Sequence, residues 1–396
     1  MHRRYTVALV THSLGELDIL FPMFAAAGDK KKVNVILVFT VFRLWRSYQN
    51  SKFFKACARE LEIDVRFLWL PNRFDVPKTR VSSLIYRYAE IVPAAIIGTI
   101  SKYKISKLVD RAEKVLHETT IRSDTFRLIY SRSREKKTQV LAYHHGHSLN
   151  QVPKVLKKRP VNDFATLLIF DKKNSEWGKD LGYVKQEVIG FPKLHRNWRP
   201  MIENVIEKIH ESHRKQHVVI YTRGWEDHEV YMERALFREM ISEVCHVLTA
   251  ELQPTEIIIK PHPRQKISNV KKILEELKIM NVTVSDEHPG VLALGAQFAV
   301  SMWTSCIFDS LMAGVPTVEY FREPKQFREA EPRGSLYPLV GLPVATGPED
   351  LIAIIGRQKK HRNLIPPIVS QWTETVDATD FGKLFELSSA PVGSSL

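Results

Sequence analysis

Five short stretches of this 396-residue chain combine histidine, hydroxyl and charged side chains in ways that suit phosphate chemistry. In Lys260-Pro261-His262-Pro263-Arg264, two prolines make a rigid turn that holds His262. A histidine so held can donate to a phosphate or protonate a leaving group, and Lys260 and Arg264 add positive charge. In Ser301-Met302-Trp303-Thr304-Ser305-Cys306-Ile307-Phe308-Asp309, a hydroxyl pair stands where a strand pattern ends and a helix pattern begins. Backbone N–H groups at a helix start, joined by the Thr304 and Ser305 hydroxyls, suit a phosphate or pyrophosphate. The same pair also reads as an ordinary helix cap.

The other three stretches are less specific. His144-His145-Gly146-His147-Ser148 invites a zinc reading. Neighbouring histidines on a turn point apart, and neither carboxylate nor cysteine stands at ligand spacing, so no metal is expected. His145, beside a glycine that lets a backbone approach a ligand, is expected to be catalytic or to bind substrate, with Gly146 and His147 on the acceptor side. In Thr11-His12-Ser13-Leu14-Gly15-Glu16-Leu17-Asp18, Gly15 permits close approach, His12 stands near it, and Glu16 or Asp18 is a candidate base. Thr222, Arg223 and Gly224 are expected to line the donor side. Glu226 and Asp227 behind them read either as ribose or metal ligands or as carboxylates at a helix start. Neither the dinucleotide-binding glycine fingerprint nor a phosphate-loop lysine motif occurs.

These stretches fall at the ends of predicted strands. Val7–Val10, Val33–Phe39, Asp64–Leu70, Thr138–Tyr143 and Thr166–Asp171 read as strands in the first half, with helix patterns at Leu17–Ala27 and Phe53–Leu61. The second half repeats the alternation. Its strands are expected at Val218–Thr222, Glu256–Lys260, Val282–Val284, Ala299–Ser301 and Pro316–Tyr320, with a long helix over Val230–Leu252. Near-continuous apolar strands between helices argue for parallel sheets covered on both faces. The fold class is therefore α/β of the GT-B arrangement, two Rossmann-like domains with parallel sheets facing across a cleft. Expected domains are 1–198 on the acceptor side, 214–345 for the nucleotide donor, and a helical tail, 346–396, packing back on the first. Residues 81–137 break the alternation. An apolar run with Pro93 and Gly98 leads into Lys102, Lys104, Lys107, Arg111 and Lys114. It reads as a long surface helix with one buried face, or as an amphipathic element over 81–115 lying on an anionic membrane surface.

Lys plus Arg number 58 against 44 Asp plus Glu, a formal charge of +14, which favours an anionic partner. The basic residues are dispersed and no nucleic-acid module is recognised, so no specific nucleic acid is expected. Three scattered cysteines, Cys57, Cys245 and Cys306, suggest a reducing compartment. The first apolar run is too short for a signal-peptide core, and none reaches membrane-span length. The expectation is a cytoplasmic protein, peripheral at the inner face of the cell membrane.

The order of these motifs carries a resemblance. A His-Gly turn, then Gly190-Phe191-Pro192-Lys193, then Lys260-Pro261-His262-Pro263-Arg264, then Thr304-Ser305-x-x-Phe308-Asp309 with Gly314-Val315-Pro316 behind it, resembles the CDP-glycerol glycerophosphotransferase family. Related capsule and teichoic-acid transferases of GT-B fold share the pattern. More distantly it is similar to bacterial His-Pro-motif sialyltransferases and UDP-GlcNAc 2-epimerases. The resemblance covers roughly residues 138–320. It implies active-site roles for His145 with Gly146 and for His262, phosphate binding by Thr304 and Ser305, and a motif aspartate at Asp309. It departs from the family in reading His-His-Gly-His and Met-Trp-Thr-Ser at two motifs.

The expected activity is an inverting, metal-independent transferase with no cofactor. It would move a sugar or polyol phosphate from a CDP-, CMP- or UDP-linked donor to an anionic glycan or lipid-linked acceptor of bacterial surface polysaccharide. Two other readings stay open. One is an epimerase acting on a UDP-sugar, which needs carboxylates such as Glu16, Asp18, Glu226 or Asp227. The other is a polyanion- or nucleic-acid-binding protein, which the net charge supports.

Overall fold

A computed structural model describes residues 5–28, 34–70, 84–119, 123–144, 162–172, 175–209, 216–225, 232–263, 265–330, 334–335, 337–360 and 367–385. The chain forms two compact units. One holds the described residues up to Met201 together with those from Asp377 on. The other holds those from Ile202 to Val376.

In the first unit, seven strands make one parallel sheet: β1 (Thr6–Val10), β2 (Val35–Phe39), β3 (Asp64–Phe67), β4 (Lys114–Glu118), β5 (Gln139–Tyr143), β6 (Asn162–Ile169) and β7 (Tyr183–Val188). Their order is β3-β2-β1-β4-β5-β6-β7. Every residue of β1, β2 and β4 is buried, as strands covered on both faces require. Chain order reverses between β1 and β4, which opens a crevice beyond their carboxyl ends.

The second unit repeats the plan with β8 (His217–Tyr221), β9 (Glu256–Lys260), β10 (Val282–Val284), β11 (Ala296–Ser301), β12 (Thr317–Tyr320) and β13 (Val344–Ala345). The order is β10-β9-β8-β11-β12-β13, again parallel, with the reversal between β8 and β11. Alternate residues go to opposite faces. Val218, Ile220, Ile257, Ile259, Val300 and Val318 join the helix Arg234–Leu252 in one core, while Val219, Tyr221, Ile258 and Ala299 face the other way. Burying each such aliphatic side chain contributes roughly 1.5–3 kcal/mol, so both faces must be covered.

The predicted strands match these closely, save three. β4, β7 and β13 were not expected as strands. The reading of 81–137 as one surface helix holds only for the helix Leu84–Arg111, which runs through Pro93 and Gly98. Lys114, counted there among surface cations, begins the central strand β4 and is buried. Its Nζ donates to the carbonyls of Leu384 (2.6 Å) and Lys383 (3.4 Å) in the last helix, Phe381–Phe385. Phe385 of that helix meets Phe24 edge-on at 5.3 Å, and Phe381 meets His195 at 5.8 Å.

Candidate functional site

Each unit gathers polar side chains at its own strand reversal. In the first, the loop after β1 folds over the carboxylate of Glu16, which is fully buried. That carboxylate accepts the backbone N–H groups of Thr11, His12 and Ser13, and the Tyr143 hydroxyl at 3.2 Å. Burial, with Glu16 and Glu118 beside it, holds the Tyr143 hydroxyl well above its usual pKa. Glu16 is thus the clamp that shapes the 11–16 loop. Asp18 lies 3.8 Å from the Nζ of Lys193, so two separate sequence motifs meet, the turn at Gly190 (φ +69°) delivering the lysine. His12 is exposed, and Gly15 sits half-buried in the short turn between them.

Beside this loop stand three residues that the sequence reading did not single out for chemistry. Glu118 ends β4, Thr119 follows it, and His144 follows β5. Glu118 is fully buried. Its Oε1 accepts from the Thr119 hydroxyl at 2.9 Å and lies 3.3 Å from His144 Nδ1. Thr119 Oγ1 lies 3.2 Å from the same nitrogen. A buried carboxylate holding Nδ1–H makes Nε2 the nitrogen that takes a proton, the arrangement of a carboxylate-oriented histidine base. Below it, His117 is locked between the Glu118 carbonyl (2.9 Å) and the Tyr130 hydroxyl (3.0 Å), which fixes the strand end. His145, Gly146 and His147 lie outside the described residues.

In the second unit, four polar residues stand in one row across the sheet. Lys260 pairs with Tyr221, Tyr221 with Ser301, and Ser301 with Glu319. All are buried. Tyr221 donates toward the Pro289 carbonyl at 3.3 Å and lies 2.9 Å from the Ser310 hydroxyl. Lys260 Nζ donates to the Pro261 carbonyl at 3.1 Å. Ser335 donates to Glu319 Oε2 at 2.6 Å, while Oε1 has no hydrogen-bond partner among the described residues; burial, with Glu323 nearby, pushes the carboxyl up to about 8.

Just beyond that row, the expected donor residues converge on the β8–β11 reversal. Ser301 Oγ donates to the Thr304 carbonyl (3.0 Å) and accepts its N–H (3.3 Å), closing a tight turn. Within that turn Trp303 takes a left-handed conformation, φ +52°, uncommon for a bulky residue. Its ring lies under the Arg223 guanidinium at 4.8 Å and stacks on Phe321. Thr304 is buried and accepts the Cys306 N–H at 3.4 Å, Ser305 is exposed, and Asp309 is fully buried in the helix Ile307–Met312. His262 is half-buried at the end of β9, and its carbonyl accepts the Gln265 N–H at 2.8 Å. The Thr222 hydroxyl donates to Gln265 Oε1 at 3.0 Å. Gly224 packs so closely on Gln265 that an added Cβ would come within 2.9 Å of it. Arg264, Glu226 and Asp227 lie outside the described residues. Among the described residues no group of three or more His, Cys, Asp or Glu could hold a metal ion.

No protein-family model and no curated protein sequence matches the chain. Solved structures do. The UDP-GlcNAc 2-epimerase of Methanocaldococcus jannaschii is 12% identical over 94% of this chain and 98% of that one, with a TM-score of 0.54. The same enzyme in complex with UDP-GlcNAc and UDP gives 15%, 94%, 98% and 0.50. A UDP-glucosyltransferase from Polygonum tinctorium capable of glucosylating indoxyl gives 11%, 97%, 97% and 0.50. Likeness at such identities is a likeness of fold, and the fold is that of the GT-B glycosyltransferases and epimerases.

Proposed function

We propose that the protein transfers a sugar or polyol phosphate from a nucleotide-activated donor. One observation carries the reading: Thr222, Arg223, Lys260, His262, Thr304 and Ser305, from three different strands, converge at the strand reversal of the second unit. Ligands of open α/β sheets bind at such reversals. Arg223, Lys260, His262, Thr304 and Ser305 carry donors suited to the charge that builds on a departing nucleotide, Thr222 bonds Gln265 beside them, and fixed donors need little reorganisation as that charge forms. Asp309 belongs to the motif that bounds this site, and Arg264 stands one residue before Gln265 in the sequence.

In this reading the first unit activates the acceptor. His144, oriented by Glu118, takes the proton of the acceptor hydroxyl as that oxygen bonds to the transferred group and the nucleotide leaves with the bond electrons. The reaction inverts and uses no metal, since fixed cations meet the leaving charge. His145, Gly146 and His147 continue the same segment and belong to the acceptor side with His12 and Gly15. The fold neighbours include an epimerase, but Glu16 is occupied by backbone N–H groups and Asp18 is close to Lys193, which favours transfer.

The donor class proposed is CDP-, CMP- or UDP-linked and the acceptor an anionic or lipid-linked glycan of a bacterial surface polymer, following the motif resemblance. The helix Leu84–Arg111 supports contact with an anionic membrane surface. Ile96, Ile97, Ile100 and Tyr103 are exposed on it, and Lys102, Lys104 and Lys107 lie among and beyond them. Among the described residues no helix is long and apolar enough to cross a membrane. Transfer from labelled donor to a glycan acceptor tests the reaction. His144→Ala is expected to lower kcat by about 10²–10⁴-fold while leaving nucleotide affinity intact. An unchanged kcat would remove His144 from the mechanism.

A further inference from the structure

Gln265 is a residue of the second unit that the proposed chemistry has not used, and its surroundings give it a specific task. It is 6% exposed. Its backbone N–H is tied to the His262 carbonyl, its Oε1 accepts from Thr222, and its Cβ lies against Gly224. One side chain therefore links the turn after β9 to the turn after β8. Yet its Nε2 is buried and has no hydrogen-bond partner among the described residues. Turning the amide over would not remedy this, because one end would still meet the Thr222 hydroxyl and the other would still lack a partner. Buried amide groups are almost always paired, and an orphan at a ligand-binding edge points to a partner that arrives with the ligand.

We infer that Gln265 is a donor-binding residue: its amide holds the turns after β8 and β9 together and donates from Nε2 to a phosphate oxygen of the bound nucleotide. The inference rests on the proposed function. The neighbours select phosphate over base. Arg223, Lys260 and His262 offer donors, and phosphate oxygens only accept, whereas a base edge presents donors and acceptors together. Gly224 belongs to the same device. Any side chain there would press on Gln265 and displace the amide.

The test measures binding of UDP, CDP, inorganic pyrophosphate, uridine and cytidine to the full-length protein by calorimetry, alongside the melting temperature of each free variant. Gln265→Met keeps the length and packing of the side chain and removes the amide. It is expected to melt below the wild-type temperature, because the buried Thr222 hydroxyl loses its acceptor, and to bind nucleoside diphosphate and pyrophosphate about tenfold more weakly while uridine and cytidine bind as before. Gly224→Ala is expected to weaken binding in the same direction, and an unaltered affinity in both variants would overturn the inference. An equal loss for the phosphate-free nucleosides would mean that the amide reads the base, which overturns it as well. If the wild type binds the nucleosides and diphosphates but Gln265→Met binds them equally well, this assignment falls and the proposed function stands. If the wild type binds neither nucleotide nor pyrophosphate, both fall.

Discussion

Three buried carboxylates stand near strand ends of the two sheets, and their partners give them three different roles. Glu16 is saturated by backbone N–H groups and a tyrosine hydroxyl, so it orders a loop. Glu118 faces a histidine and orients it. Glu319 meets one serine and keeps its proton. This last carboxyl titrates at about 8 instead of 4.5, so the folded chain binds its proton more tightly than the unfolded chain. The stability it contributes is complete below pH about 4.5 and is lost as the pH rises through about 8. Relative to Glu319→Gln, the wild type should therefore lose up to about 1.4 kcal/mol of unfolding free energy per pH unit between about pH 5 and pH 8. Urea titrations of both proteins across that range check this, and parallel curves would refute it. Residue type alone separated none of these roles. Glu16 and Asp18 drew notice because they follow a strand and a glycine, while Glu118 and Glu319 sit inside strands, where sequence offers no sign of what lies across the sheet.

At the scale of elements, strands with unbroken apolar runs were legible, and so were the motifs at their ends. Glu256–Lys260 and Val282–Val284 fall where the pattern puts them. β4 was hidden because Lys114, His117 and Glu118 make three of the five residues of a central strand polar. Those polar groups are buried only because each has a partner from elsewhere: Lys114 in the last helix, His117 in Tyr130, Glu118 in Thr119 and His144. Missing β4 also concealed the His144–Glu118 pair. Lys114 thus ties the carboxyl-terminal helix to the centre of the first sheet. Lys114→Ala should cost about 1–3 kcal/mol by leaving two carbonyls without their charged donor. It should also speed proteolysis after residue 376, as seen by mass spectrometry of timed digests. Digestion at the wild-type rate with unchanged stability would show that the helix is held by Phe381 and Phe385 alone.

For the whole molecule, the repeated β-strand order is the strongest constraint. Two sheets, each reversing between its first and fourth strand, give two carboxyl edges that the chain furnishes differently: a carboxylate-paired histidine at one, an arginine stacked on a tryptophan at the other. The formal charge of +14 adds a general preference for anions without choosing one. The central claim is that the residues at the β8–β11 reversal of the second unit hold a nucleotide. Calorimetric titration of the full-length protein with UDP, CDP, CMP and GDP, and with random-sequence DNA, tests it most directly. The account predicts saturable binding of one pyrimidine nucleotide, weakened about tenfold or more by His262→Ala and by Thr304→Ala, each removing a fixed donor. Binding of DNA that weakens steeply with salt, with no heat from any nucleotide, would contradict it.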